Sequence, residues 1–221
     1  MKTKAIYRFY RKCVRVFTRP VKTVWQEPFD GQPAIFCPNH CGAWGPVAMM
    51  GHFELREKCM PWFNAEVTEY RKMPAYIHQD YWWNPKSKLA PLYNVTIPYL
   101  GSVLPLIMRR VPGIKVYHDA HVLTTFRESM AAIQEGDHLI IFPQQPDGYG
   151  SHDYTLNSGW LQFVPMTYKR LGVDLAIYPV VIDSKNHQIV VGNKITYDHE
   201  KSLSEQQDAI MDRLAQALQG S

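Results

Sequence analysis

Ala34-Ile35-Phe36-Cys37-Pro38-Asn39-His40 is a short apolar run that ends in a polar turn. The pattern predicts a buried strand that delivers a histidine to the loop at its carboxyl end. A helical pattern opens just beyond, at Pro46, so the histidine faces a helix N-terminus. Open α/β sheets bind their ligands in such loops. His40 is therefore the best single pointer to function in the chain.

Outward from this run, short apolar segments alternate with helical patterns. Further strands are predicted at 61–65, 114–117, 138–142, 175–182 and 188–195, and helices at 46–58, 119–134, 158–171 and 204–218. Strands separated by helices imply an α/β fold with a mainly parallel sheet covered by helices on both faces. The last helix carries a start signal, Ser202 followed three residues later by Glu205, and ends at Gly220.

With 221 residues the chain can bury a full core, and its 46% hydrophobic and 20% charged content excludes global disorder. Aromatic content is 13%, with 13 Tyr and 6 Trp, which suits surfaces that are half apolar and half wet as well as ordinary cores. The four cysteines, Cys13, Cys37, Cys41 and Cys59, follow no secretory signal and are expected as thiols in a reducing cytosol.

Charge is unevenly placed. Lys2, Lys4, Arg8, Arg11, Lys12, Arg15, Arg19 and Lys22 all precede the first acid, Glu27, so with a net charge of +4 the remainder carries −4. Ile6, Phe9, Cys13, Val16 and Phe17 recur at helical spacing among these cations, and Pro20 ends the pattern. Residues 1–29 thus read as a basic amphipathic N-terminal helix and linker, and 30–221 as the α/β domain. The arm calls for an anionic partner, a membrane surface before a nucleic acid, since the body has no basic groove or nucleic-acid motif. The charge-free run Leu89–Met108 is interrupted by Pro91, Pro98, Gly101 and Pro105, and is read as a loop-rich apolar surface rather than a spanning helix.

Three segments converge on one edge of the expected sheet: Asn39–Pro46, Gly113–Asp119 after Arg109 and Arg110, and Leu139–Gly148 with its Phe142-Pro143-Gln144-Gln145 turn. In order and spacing they resemble the glycerolipid (lysophospholipid) acyltransferase family. Its signature is Asn-His with Asp five residues after the His, a Gly-led segment ending in Arg, a Phe-Pro-Glu-Gly-Thr-Arg-Ser block and a Pro-Val strand. Asn39-His40, Gly113–Asp119, Phe142–Gly148 and Pro179-Val180 align with these in turn, and the resemblance covers about residues 30–218.

The resemblance implies a peripheral-membrane acyltransferase of phospholipid metabolism, cytoplasmic and at the inner face of the membrane. His40 is its general base, taking the proton from a hydroxyl or amine of a lipid-related acceptor as that group attacks an acyl thioester. Acyl-CoA or acyl carrier protein is the co-substrate, and no cofactor or metal is needed. Asn39, Arg109, Arg110, Gly113, His118, Phe142, Pro143, Gln144 and Gln145 are the implied substrate-binding positions.

The chain departs from the signature where the acids and the phosphate-binding Arg stand. Gly45 replaces the orienting Asp, Gln144 the Glu, Gln145 the Gly, and Asp147 the Arg of the third block. A cation-to-anion exchange there favours a neutral or cationic acceptor over a phosphorylated one. The missing carboxylate is expected to return from Asp147, Asp119 or Asp153. The alternative is a protein that keeps the fold, binds lipid or acyl chains and does not turn over. Zinc at Cys37, His40, Cys41, His52 and Cys59 matches no standard spacing, and Cys41 as a nucleophile sits poorly beside its own neighbour His40.

Overall fold

The computed structural model describes residues 12, 14–41, 44–73, 86–117, 119–144 and 155–219, with Leu100 and Leu104 as backbone only. Among them, β1 (Lys22–Trp25), β2 (Ala34–Pro38), β3 (Cys59–Asn64), β4 (Ile114–Val116), β5 (His138–Ile140), β6 (Ala176–Asp183) and β7 (Gln188–Val191) form one sheet in the order β1-β7-β6-β2-β5-β3-β4. Strands β2 to β6 run parallel; β7 is antiparallel to β6, and β1 is parallel to β7. The sheet is mixed and mostly parallel, as the strand–helix alternation predicts.

The helices are α1 (Trp44–His52), α2 (Ala90–Met108), α3 (Val122–Gln134), α4 (Phe163–Leu171) and α5 (Leu203–Gln219). Side-chain alternation along β2 sends Ile35 and Cys37 to one face, where they pack with Ile133 of α3, Phe163 of α4 and Leu214 of α5. Ala34 and Phe36 pack on the other face with Ala48 and Met49 of α1. Along β3, Cys59 joins that α1 cluster, and Phe63, four residues on and so on the same face, packs with Ile97 and Met108 of α2. Helices cover both faces.

Local signals place the terminal elements. Glu205 Oε2 accepts from both the backbone N–H and the hydroxyl of Ser202, the glutamate half of the capping box expected at the start of α5, while the Glu205 N–H donates to the Ser202 carbonyl. Gly172, at φ +68°, ends α4 in the left-handed region and donates its N–H to Tyr168 O.

Two expectations are corrected. Residues 22–25 are not linker: β1 pairs with β7 along its whole length, and Trp25 packs against Phe29, Phe36, Phe53 and Tyr178, so the α/β domain begins before residue 30. Nor is 90–108 loop-rich. It is a continuous helix that contains Pro98 and Pro105. An interior proline costs a helix about 3 kcal/mol. Here Ile97 is buried against Val67 and Met73, so packing on the domain offsets that cost.

Of the N-terminal arm, residues 12 and 14–17 are described and helical; Ile6, Phe9 and Cys13 lie outside the described residues. Val14 is buried on α1, where a Cβ at Gly51 would come within 2.6 Å of Val14 Cγ1. Thr18 Oγ1 and His52 Nε2 share a 2.7 Å hydrogen bond. Burial, with Arg15 and Arg56 nearby, lowers the His52 pKa. Val16 and Phe17, at 77% and 85% exposure, face outward.

Candidate active site

β2 and β5 are neighbours, and the helices that follow them lie on opposite faces of the sheet: α1 after β2 in one cluster, α4 after β5 in the other. A crevice opens between carboxyl ends where the connections diverge in this way. The two loops that bound it carry Asn39-His40 and Phe142-Pro143-Gln144.

Asn39 locks the first loop to β6. Its N–H donates to Val180 O at 3.0 Å, and its Oδ1 accepts from the Ile182 N–H at 2.7 Å. The backbone N–H of His40 donates to Gln144 Oε1, so the loop after β5 holds the loop after β2. The His40 and Phe142 rings meet edge to face, with centroids 5.5 Å apart. Behind Gln144, Pro143 O accepts from the Asn157 N–H, and Gln144 forms an antiparallel bridge with Leu156. Backbone and amide groups thus hold the histidine loop at both sides.

Gly45 lies in the first turn of α1. A Cβ there would stand 3.2 Å from Phe142 Cε1 and 3.5 Å from Asn39 O, so this position abuts both loops of the crevice. Cys41 donates its thiol to Ile182 O at 3.7 Å, and burial pushes its pKa up to about 11, which keeps it protonated and unsuited to attack. Cys37 and Cys59 pack on opposite faces of the sheet, with their thiols pushed up by burial, and so do not share a ligand site. No group of three potential metal ligands occurs among the described residues.

The other candidates are placed elsewhere or not described. Asp119 is exposed and spends its carboxylate on His121, accepting from its N–H at 2.9 Å and pairing with its ring Nδ1 at 3.0 Å. It lies in the turn that leads into α3 and pairs there with His121 rather than with His40. Its pKa falls through the two His121 hydrogen bonds. Arg109 donates to Thr68 O at 2.9 Å and stacks over the Tyr70 ring at 4.6 Å, while Arg110 donates to Leu106 O of its own helix. Both precede β4, three strands from β2, about 14 Å at ordinary strand spacing. Gly113 has a packing reason: a Cβ there would sit 2.8 Å from Pro61 O, a backbone atom that cannot give way. No described contact joins these residues to the His40 loop. His118, Gln145, Asp147 and Asp153 lie outside the described residues.

A cavity of about 350 Å³ opens beside this loop, lined by Arg19, Val21, Cys41, Trp44, Ile182 and His187 among others. Arg19 and His187 were not legible as site residues, because the strand pairing of β1 with β7 is what brings positions 19 and 187 together.

No model of a known protein family matches the chain, and no curated protein matches it. Among solved structures it is similar to the 1-acyl-sn-glycerophosphate (LPA) acyltransferase PlsC from Thermotoga maritima. Identity is 13% and the TM-score 0.48, over 98% of this chain and 78% of that one. At that level the fold rests on the strand order and register above, not on the likeness. What the loops can do chemically follows from their own groups. His40 is an imidazole at the sheet's switch point, held by backbone ties and set against an aromatic wall.

Proposed function

We propose that the chain is a peripheral-membrane acyltransferase that moves a fatty acyl group from a thioester, acyl-CoA or acyl carrier protein, to a hydroxyl or amine of a lipid-related acceptor. The observation that carries the proposal is the clamped His40 loop in the β2/β5 crevice. The order of the Asn39-His40, Gly113–Asp119 and Phe142-Pro143 segments supports it. A neutral imidazole, with an unperturbed pKa of about 6.5, accepts the acceptor's proton near neutrality. The acceptor oxygen or nitrogen bonds to the thioester carbon, the C–S bond breaks, and the proton passes to the departing thiolate. Neither a protein nucleophile nor a metal enters this scheme.

The test incubates wild type and His40→Ala with acyl-CoA and acyl carrier protein donors and a panel of lipid and amine acceptors. A fall of about 10²–10⁴-fold in the variant is expected from loss of a general base. Equal product from both proteins, or none from either, removes His40-dependent transfer.

Gly45 supports a second function, an acyl-chain or lipid binder without turnover, since no side-chain carboxylate stands at that position and Asp119 is committed to His121. Saturable binding of an acyl thioester with no product over many hours is its signature.

A further inference from the structure

Helix α2 carries two apolar stripes. Ala90, Ile97, Gly101 and Pro105 are buried against the domain. Leu92, Val95, Tyr99, Val103 and Leu106 step by three or four residues along the opposite side and are exposed, Val95 at 66% and Tyr99 at 73%. A helix on a soluble surface ordinarily presents charge there. This one has no charged residue from Ala90 to Met108.

By length and composition α2 is apolar enough to cross a membrane. Its buried stripe rests on the domain instead, with Ile97 and Met108 packed against Val67 and Phe63, so only one side is available to anything else. A helix with one apolar side on its own domain and the other outward suits a place in the plane of a lipid interface.

The charges flanking α2 identify that interface. No Asp or Glu occurs between Asp80 and Asp119, while Lys86, Lys88, Arg109 and Arg110 bracket the helix. A second copy of the chain laid on this face, parallel or antiparallel, would set these cations against one another along a helix with no acid of its own, and the nearby Glu66 and Glu69 already pair with Lys72. Anionic headgroups complement both ends. An independent observation points the same way. The exposed Val16 and Phe17 follow Val14, which is docked on α1, and α1 shares its face of the sheet with α2.

We propose that the outward stripe of α2 inserts into the headgroup region of an anionic bilayer, with Lys88 and Arg110 at its ends, so that the α1/α2 face is the membrane-docking face. The inference rests on the helix and its charges, not on the chemistry at His40.

The experiment co-sediments the full chain with phosphatidylcholine vesicles containing 0 or about 30% phosphatidylglycerol, the anionic lipid supplying the charge that lysines and arginines seek. Wild type is expected to bind the anionic vesicles. Val95→Asp/Val103→Asp is expected to lose at least about tenfold in partition, because each places a charge where apolar surface enters the interface. Tyr99→Asp, at the most exposed position of the stripe, serves if the double variant does not fold, as judged by circular dichroism. Wild-type binding by a folded variant overturns the proposal. So does a wild-type dimer in light scattering that Val95→Asp/Val103→Asp converts to monomer, which makes the face a self-interface. Acyl transfer between short-chain, water-soluble substrates is measured in parallel. Its absence from wild type counts against the acyltransferase function alone, and vesicle binding decides the docking face.

Discussion

Gln144 Oε1 accepts the backbone N–H of His40, a tie between residues 104 apart in sequence. It makes the position of the histidine depend on the loop after β5. Gln144→Leu removes the acceptor and leaves a half-buried N–H unpaired, at a cost of about 1–3 kcal/mol. We expect a lower melting temperature, by roughly 2–10 °C for a chain of this size, and a loss of transfer or ligand binding. Gln144→Glu keeps an oxygen in place and is expected to retain both. Thermal melts of the two variants check this; equal behaviour refutes it.

Gly45 faces Phe142 and Asn39 O. The 3.2 Å approach of a Cβ to the Phe142 ring requires a shift of a few tenths of an ångström, and Gly45→Ala also gains helix propensity of about 0.5–1 kcal/mol. The two effects oppose, so its stability should stay within about 1 kcal/mol of wild type. Gly45→Asp adds a carboxylate at a helix N-terminus, where it is favoured by about 0.3–1 kcal/mol. A negative charge near His40 raises its pKa. NMR titration of His40 should therefore shift upward, and the acid limb of any pH–rate profile with it. An unchanged titration in a folded variant would exclude this position as an orienter.

His138 is buried, with its ring edge-on to Phe29 and Phe36 and its Nδ1 unpartnered among the described residues. Burial above all, with Lys58 adding and Asp30 opposing, lowers its pKa to about 4. The unfolded chain, with an imidazole near 6.5, then binds more protons than the folded one between these values. Its contribution to stability is complete above about pH 6.5 and falls as pH drops toward 4. Between pH 7 and 5 the loss is on the order of 2 kcal/mol. His138→Leu should flatten that slope, as measured by denaturant melts at the two pH values. An identical slope in the variant refutes the assignment.

Much of the architecture was legible locally. The apolar runs at 34, 114, 138 and 175 begin where β2, β4, β5 and β6 begin, to within a residue, because buried parallel strands are continuous apolar segments. The run assigned to β3 was placed two residues late, since Pro61 reads as a strand start although the strand opens at Cys59. The edge strand β1 was not legible at all. Four residues with a lysine carry little signal until β7 lies beside them.

The sequence by itself determined the strand–helix alternation, the cap at Ser202 and the delivery of Asn39-His40 to a strand's carboxyl end, because period, caps and turn residues act over a few neighbouring positions. Only the tertiary structure decided what touches that loop. Gln144 and Ile182 hold it from far along the chain, and Arg109 turns to Thr68. It also decided that 90–108 is a helix in spite of its prolines, with an apolar side left outward. The physical reason is common to both: the local cost of a proline and the partner of a side chain are settled by packing and hydrogen bonds between segments distant in sequence.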